Sequence, residues 1–242
     1  MTTIKIISPD REFPVKIRGE ENKETILLLH GGHRVSDYLD RVADFLGERY
    51  KAISYDQRGI GNSIPSRATF SVDEYIGDID AVVDSVNIEK FHLFGHSWGG
   101  ILAQLYASRH PKRIESLFLC NPRLGEGSQW DSAQEEVNEI FSSKDRILAN
   151  IKMGIDKFLT LVGGSYAKNA STLNASSALN LVPAIVLYGT VDLYNETERF
   201  AMDRLPNAQK IELAGSGHYP WLEDTENFRK VLSQFYEMEE SI

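Results

Sequence analysis

The chain has 242 residues, 42% hydrophobic and 25% charged, a composition that is typical of a globular protein and excludes disorder over most of its length. Its 35 acidic residues outnumber its 26 Lys and Arg residues, and the resulting net charge of −9 disfavours nucleic acid and anionic membranes as partners. The single cysteine, Cys120, excludes an intrachain disulfide, and the absence of a membrane-length apolar run or a signal-peptide core predicts a cytoplasmic protein.

Eight short apolar runs predict β-strands, and helical patterns separate most of them. The first two runs, 3–8 and 13–18, flank a Pro-Asp turn signal and are compatible with a hairpin. The other predicted strands are 25–30, 50–55, 90–95, 115–120, 184–189 and 208–214. The predicted helices are 37–48, 71–86, 99–109 and 221–237. Because strands and helices alternate, we expect an α/β fold with an eight-stranded, mostly parallel sheet and helices on both faces.

Residues 122–182 interrupt this alternation. Their apolar residues recur at helical spacing, and they contain no convincing strand. We interpret the segment as a small helical cap inserted between two strands. The chain has no internal repeat and no linker-like run, so residues 1–242 are predicted to form a single domain that carries this cap.

The most informative motif is GHSWG at residues 95–99, a Gly-x-Ser-x-Gly pattern between a predicted buried strand and a predicted helix. A serine at such a position stands on a sharp, strained turn, where the flanking glycines avoid a collision. The helix directs its first N–H groups at the serine, where they favour developing negative charge. We therefore predict that Ser97 is a nucleophile. Ser165, in Gly-Gly-Ser-Tyr-Ala, lacks the last glycine and follows residues with helical spacing, so it is not assigned this role.

A serine nucleophile needs a general base, and the base needs an orienting acid. In the expected order Ser, acid, His, only His218 lies far enough downstream, in a glycine-rich loop after the last strand. Asp192 follows the strand 184–189 and is the predicted acid; a surface histidine and a turn aspartate are the alternative interpretations. Asn121 occupies the other place where an acid could stand, and a neutral amide cannot support an imidazolium as a carboxylate does.

An oxyanion formed at Ser97 needs two backbone N–H donors. Trp98, the residue after the nucleophile, supplies the first. The second is predicted to be Gly32 in HGGH at residues 30–33, where glycines let the backbone approach closely. His30 is expected to hold this loop by hydrogen bonds. His33, Trp130 and Tyr219 are predicted to line the substrate pocket, whereas Trp221 is expected in the core.

The segments LLLHGG, SYDQRGIGNS, FGHSWGG, YGTVD and GHYPWLED occur in this order and resemble the α/β-hydrolase fold superfamily over nearly the whole chain. HGG at 30–32 and DQRGIGNS at 56–63 are most similar to its proline iminopeptidase-like branch, although a structural turn shared by many branches is the favoured interpretation of 56–63. The resemblance implies a Ser-His-Asp hydrolase that uses no metal and no cofactor.

Two features depart from that branch. The first motif continues as His33-Arg34 where those peptidases usually have HGGPG. Their cap usually carries a Trp-rich stretch ending in a glutamate that holds the amino terminus of the substrate, whereas only Trp130 with Glu135 and Glu136 stands in a comparable place here. We interpret these glutamates as a solvated helix face.

The sequence thus predicts a serine hydrolase that cleaves a small ester or amide through an acyl-enzyme, with a small molecule as its partner. A proline iminopeptidase-like aminopeptidase is the first alternative. A non-catalytic ligand receptor on a hydrolase scaffold is the second, and thioester or carbon–carbon bond hydrolysis also stays open. Substrate identity and oligomeric state do not follow from the sequence.

Overall fold

The fold is taken from a computed structural model, which describes residues 1–8, 11–32, 36–58, 63, 71–122, 181–192 and 205–238. Residues 123–180, which make up nearly all of the predicted cap, lie outside this set, as do the predicted pocket residues His33 and Trp130. Among the described residues, no helix has the length and apolar content needed to cross a membrane.

The described strands form one eight-stranded sheet, as predicted. They are β1 (Thr2–Ser8), β2 (Arg11–Arg18), β3 (Thr25–Leu29), β4 (Lys51–Tyr55), β5 (Phe91–His96), β6 (Ile114–Cys120), β7 (Ala184–Gly189) and β8 (Gln209–Leu213). Their order is β1-β2-β4-β3-β5-β6-β7-β8. Strand β2 pairs antiparallel with β1 and β4, and every other pair of neighbours is parallel.

The apolar runs of the central strands reflect burial on both faces of the sheet. In β3, Leu27 and Leu29 belong to one hydrophobic cluster, and Ile26 and Leu28 belong to the other. All four side chains are fully buried. A strand covered on both faces needs apolar residues at consecutive positions, which explains the TILLL run.

The five described α-helices cover both faces of the sheet. They are α1 (Asp40–Leu46), α2 (Val72–Ser85), α3 (Trp98–Arg109), α4 (Pro220–Glu223) and α5 (Thr225–Phe235). Residues of α2 and α3 share one hydrophobic cluster, and residues of α1 and α5 share the other. The sheet therefore lies between two helical layers, as the alternation predicts.

The helix boundaries confirm one sequence signal and correct another. Helix α2 begins where the helix predicted over 71–86 should, with a capping box in which the Ser71 hydroxyl accepts the Glu74 N–H and the Glu74 carboxylate accepts the Ser71 N–H. The single helix predicted over 221–237 is wrong, because it is divided at Asp224. That residue has a non-helical backbone (φ −140°, ψ 64°), and its carboxylate accepts the N–H of Asn227 at 3.4 Å, so it caps a new helix.

A buried ion pair fastens the loop after β4 to α2. The Arg58 guanidinium donates to both carboxylate oxygens of Asp78, at 3.1 and 2.9 Å, and the two side chains are only 5% and 3% exposed. The Tyr75 hydroxyl also donates to the Arg58 carbonyl, at 3.1 Å. Arg58 belongs to the 56–63 motif, and this part of the motif has a structural role.

We expect Asp78→Ala to lower the free energy of unfolding by about 3–5 kcal/mol, because it leaves the buried Arg58 charge without its main partner. Urea unfolding at pH 7 measures this loss. The matched control is Asp73→Ala on the same helix, which removes an exposed ion pair with Arg109 and should cost less than about 1 kcal/mol. Equal losses of unfolding free energy in the two variants would contradict the prediction that the buried Arg58–Asp78 pair stabilises the fold more than the exposed pair does.

Candidate active site

Ser97 stands at the turn between β5, which ends at His96, and α3, which begins at Trp98. Its backbone has φ 54° and ψ −119°, a conformation that costs a non-glycine residue about 1–3 kcal/mol. Hydrogen bonds hold it there, because the Ser97 N–H donates to the Cys120 carbonyl at 3.1 Å and the Ser97 carbonyl accepts the Gly100 N–H at 3.0 Å. This is the strained strand-to-helix turn that the motif predicts.

The glycines around Ser97 are required by close packing. A Cβ atom on Gly95 would lie 2.5 Å from the carbonyl oxygen of Gly99, and a Cβ atom on Gly99 would lie 2.6 Å from the carbonyl oxygen of His30. Real side chains do not tolerate such distances to backbone atoms. The turn therefore packs on itself and against the end of β3, where the HGG loop begins.

Asp192 and His218 meet at the same edge of the sheet. Asp192 follows β7 in a tight turn, in which its N–H donates to the Gly189 carbonyl at 3.2 Å. Its fully buried carboxylate lies 2.6 Å from Nδ1 of His218, whose side chain is 17% exposed. A carboxylate at this distance favours the tautomer with the proton on Nδ1, which leaves Nε2 as the basic atom of the ring.

A second carboxylate, Glu223, holds the backbone on either side of His218. Its Oε2 accepts the Gly217 N–H at 2.6 Å, and its Oε1 accepts the Tyr219 N–H at 2.9 Å. The carboxylate packs closely on the loop, because a Cβ atom on Gly217 would lie 2.7 Å from Oε2 and would displace it. Sequence reasoning missed this clamp; the only signal was a glutamate in the short helix directly after the histidine loop.

At the carboxyl end of β6, the Asn121 side chain hydrogen-bonds to the backbone of two other segments. Its side-chain amide donates to the Gly217 carbonyl at 2.9 Å, and its side-chain oxygen accepts the Gly189 N–H at 2.9 Å. Asn121 thereby ties the loop of His218 to the end of β7, close to Asp192. The neutral amide suits this task because it both donates and accepts, which a carboxylate does not.

His96, which sequence reasoning did not assign, contacts the histidine loop directly. Its Nε2 lies 2.8 Å from the His218 carbonyl oxygen, and its Nδ1 lies 2.8 Å from the Tyr38 hydroxyl. The Tyr38 hydroxyl also accepts the N–H of Gly31. Complete burial places the pKa of His96 well below its usual range, so the ring is neutral. Its place inside the Gly-x-Ser-x-Gly motif was the available signal.

The HGG loop is fixed by Gln57, and His30 holds it as expected. The Nε2 of His30 accepts the Gln57 N–H at 2.8 Å, and its Nδ1 lies 2.6 Å from the Gly31 carbonyl oxygen. The Gln57 side chain donates to the His30 carbonyl at 2.6 Å and accepts from the Trp98 indole at 3.0 Å. These contacts join the end of β3 to the first residue of α3.

The neighbouring Asp56 continues this structural role of the 56–63 motif. Its carboxylate accepts the N–H of Ser36 at 2.8 Å, at the start of a short 3₁₀-helix that spans Ser36–Leu39. Asp56, Gln57 and Arg58 thus each fasten a different part of the chain to the loop after β4.

The two predicted oxyanion donors are the residue after Ser97 and a residue of the neighbouring HGG loop. A Cβ atom on Gly31 would lie 3.1 Å from the Ser97 Cβ atom, so the HGG loop abuts the serine and Gly32 continues from it. Trp98 opens α3, and the first N–H groups of a helix have no acceptor within the helix. Trp98 is also buried, with 4% exposure.

Among the predicted pocket residues, Tyr219 is half-buried beside the site, with its ring centroid 5.2 Å from that of His218. Trp221 is buried and stacks on Tyr38 at 5.8 Å, as its predicted core position requires. His33 and Trp130 lie outside the described residues. Within the part of the chain that the structure describes, no group of three His, Cys, Asp or Glu side chains is placed to hold a metal ion.

Comparison with known proteins agrees with this architecture. The family model for the α/β-hydrolase fold matches residues 24–150. A proline iminopeptidase of Lactobacillus delbrueckii subsp. lactis is 27% identical, with 91% of this chain and 92% of that protein covered. A proline iminopeptidase of Clostridioides difficile is 26% identical, with 91% of this chain and 92% of that protein covered. The resemblance stated from the motifs is confirmed.

Solved structures give the same fold. A serine hydrolase of Cycloclasticus zankles superposes with a TM-score of 0.76 at 20% identity, and the match covers 99% of both chains. A thermophilic esterase of Thermogutta terrifontis superposes with a TM-score of 0.73 at 18% identity, and the match covers 98% of both chains. At these identities the likeness shows the fold alone.

The buried His30 should make the stability of the protein depend on pH. Desolvation lowers the pKa of His30 to about 4, against 6.5 for an exposed histidine. Between these values the unfolded chain binds a proton that the folded chain does not, so stability falls as the pH falls. We expect His30 to lower the free energy of unfolding by about 2 kcal/mol between pH 7 and pH 5.

Urea unfolding at the two pH values measures the effect, with His30→Gln as the comparison. His96 is buried in both proteins and shifts their stability in the same direction, so the quantity of interest is the difference between their pH dependences. An identical pH dependence in wild type and His30→Gln would contradict a neutral His30.

Proposed function

The chain belongs to the α/β-hydrolase fold family, and from that premise we propose that this hydrolase cleaves a small ester or amide with Ser97, His218 and Asp192 as its catalytic triad. One observation carries the proposal. The imidazole of His218 is held 2.6 Å from the buried carboxylate of Asp192, at the sheet edge where the strained Ser97 turn stands. A base oriented by an acid beside a serine on a strained turn is the arrangement that acyl transfer requires.

In the first half of the proposed reaction, Oγ of Ser97 attacks the carbonyl carbon of the substrate, and Nε2 of His218 accepts the serine proton. The ring then carries a positive charge, which the Asp192 carboxylate stabilises without taking the proton itself. Because the carboxylate is fully buried, its attraction to the imidazolium is only weakly screened.

The tetrahedral intermediate carries a negative charge on the former carbonyl oxygen. The backbone N–H groups of Gly32 and Trp98 are proposed to hold this oxyanion, and the removal of one such donor typically costs about 10²–10³ in rate. His218 then gives its proton to the leaving group, and the acyl chain remains on Ser97. In the second half, His218 activates a water molecule that hydrolyses the acyl-enzyme. Every proton in this cycle passes through Nε2 of His218.

A second candidate function follows from the curated relatives. The two proline iminopeptidases described above match along nine-tenths of this chain, which favours an aminopeptidase that releases an N-terminal residue. The chemistry at Ser97 would be the same, and the difference would lie in an anionic group that holds the free amine of the substrate. The departures at His33-Arg34 and in the segment around Trp130 are why the ester or small-amide hydrolase is placed first.

Labelling with a fluorophosphonate tests the nucleophile. We expect one stoichiometric adduct on Ser97, located by peptide mass spectrometry, because the activated serine is the group that attacks phosphorus. Ser97→Ala should abolish the adduct. Ser165→Ala, which removes the serine of the Gly-Gly-Ser-Tyr-Ala segment, should leave labelling unchanged. An unlabelled wild-type protein would favour the receptor alternative, and undiminished labelling of Ser97→Ala would refute the assignment.

A substrate panel separates the two hydrolase candidates. Short-chain nitrophenyl esters, nitrophenyl thioesters and aminoacyl-naphthylamides are compared by kcat/KM. We expect the esters to be the best substrates; a clear preference for aminoacyl-naphthylamides, lost when the amine is acylated, would establish the aminopeptidase instead. Asp192→Asn should lower kcat about 10⁴-fold on any good substrate, because the amide favours the wrong tautomer of His218. Hydrolysis that survives this substitution would not belong to the proposed triad.

A further inference from the structure

We propose that His96 and Tyr38 are positioning residues, which together form a directed hydrogen-bonded brace that fixes the His218 backbone relative to the HGG loop. The brace runs from the Gly31 N–H through the Tyr38 hydroxyl and the His96 ring to the His218 carbonyl. The inference deepens the proposed function and rests on it, because it assigns the residues that hold the proposed base and the HGG loop in position.

The protons of this brace have only one consistent arrangement. The His218 carbonyl is an acceptor, so Nε2 of His96 must carry the ring proton. The neutral ring then offers Nδ1 as an acceptor, and the Tyr38 hydroxyl must donate to it. The hydroxyl oxygen keeps a lone pair for the Gly31 N–H. In this arrangement every donor faces an acceptor. Moving the His96 proton to Nδ1, or turning the Tyr38 hydroxyl proton away, would leave two donors or two acceptors facing each other.

The brace connects the loops after β3 and β8, which the hydrogen bonds of the sheet do not join directly. Gly31 follows β3, His96 ends β5, and the His218 loop follows β8, with β6 and β7 lying between β5 and β8. Strands spaced about 4.8 Å apart place β5 and β8 about 14 Å apart, so the histidine loop must return over two strands to reach Ser97. The bond from His96 to the His218 carbonyl is a direct tie across that gap.

The surroundings of His96 keep its ring neutral. The rings around it are Tyr38 at 5.6 Å, Tyr219 at 5.5 Å, Trp221 at 4.8 Å and His218 at 4.6 Å between centroids. Burial among them disfavours a charged imidazole. A proton on Nδ1 of His96 would oppose the Tyr38 donor. It would also place a positive charge beside the ring that must become cationic when Ser97 is deprotonated.

The loops at either end of the brace have other supports. Glu223 and Asn121 hold the histidine loop, and Gln57 holds the HGG loop. Loss of the brace is therefore expected to shift His218 relative to Ser97 without unfolding the loops. Misplacement by about 1 Å costs up to about 10²-fold in rate, which sets the size of the expected effect.

The first test is kinetic and uses the best substrate of the panel. His96→Leu removes both polar ring atoms and should lower kcat about 10- to 100-fold while KM changes less than about 3-fold, because the brace positions the base and does not touch the substrate. His96→Gln places an amide donor within reach of the His218 carbonyl and should recover most of the loss. Tyr38→Phe, which lacks the hydroxyl, should lower kcat in the same direction.

His92 supplies the matched control. It lies on the same strand, at the opposite, amino-terminal end of β5, and its Nδ1 lies 2.8 Å from the Ser116 hydroxyl. His92→Leu removes a half-buried histidine and one hydrogen bond from β5, whereas His96→Leu removes a buried histidine and two hydrogen bonds. His92→Leu should change kcat less than about 3-fold. A loss as large as that of His96→Leu would mean that the kinetic effect comes from general weakening of β5, and would overturn the proposal.

The second test needs no substrate. The Nδ1 proton of His218, hydrogen-bonded to Asp192, should give a low-field proton resonance in water, which Asp192→Asn identifies by removing it. His96→Leu should shift or broaden this resonance, and His96→Gln should restore it. If a folded His96→Leu keeps both the wild-type kcat and the wild-type resonance, the brace is refuted. If His96→Leu does not fold, the same two measurements on Tyr38→Phe, which deletes one oxygen atom, decide between the brace and its absence.

The resonance also separates the two hypotheses. A wild-type protein that is not labelled at Ser97 refutes the proposed function, yet the response of the His218 resonance to the His96 variants still decides whether the brace exists. Conversely, normal labelling with a resonance and kcat indifferent to His96 refutes the brace alone.

Discussion

The strained backbone of Ser97 is the constraint around which the rest of the site is arranged. A residue with φ 54° between a strand and a helix is stable only where its neighbours leave no other path for the chain. Gly95 and Gly99 provide that closeness, because side chains there would collide with backbone atoms. The same contacts pack the Ser97 turn against the end of β3 and so bring the HGG loop to the serine. The parallel sheet then gathers the remaining groups, since the carboxyl ends of β6, β7 and β8 meet at the edge where the Ser97 turn stands.

Polar side chains at that edge hydrogen-bond to the backbone of the loops, and these bonds hold the loops in place. Asn121 and Glu223 each make two side-chain hydrogen bonds to backbone groups at the ends of the strands or in the loops after them. Gln57 makes one to the His30 carbonyl and one to the Trp98 indole. The buried histidines His30 and His96 act as neutral hydrogen-bonding groups because desolvation opposes their protonation. A neutral His96 beside His218 adds no repulsion to the charge that His218 must carry in the proposed reaction. A neutral His96 ring therefore suits both its buried position and the charge that the proposed reaction places on His218.

The fold and the chemistry are separable from the choice of substrate. Proline iminopeptidases match this chain in sequence, and a serine hydrolase and an esterase match it in structure. Proteins with these different names share the sheet, so the sheet alone does not select the bond that is cleaved. In this chain the sheet brings Ser97, Asp192 and His218, the residues of the proposed triad, to the carboxyl ends of its strands. The order Ser97, Asp192, His218 along the chain follows from the order in which β5, β7 and β8 reach that place.

The sequence by itself determined the eight strands, the start of α2, the turn at Ser97 and the candidates Asp192 and His218, because each depends on local pattern or on order along the chain. The tertiary structure alone decided the break at Asp224 and the backbone hydrogen bonds of Glu223 and Asn121. It also decided the link from Tyr38 through His96 to His218. His96 and His218 are 122 residues apart, and nothing in the neighbourhood of either one indicates the other. Local periodicity specifies which residues form strands, whereas the pairing of polar side chains depends on where the folded sheet brings their elements together.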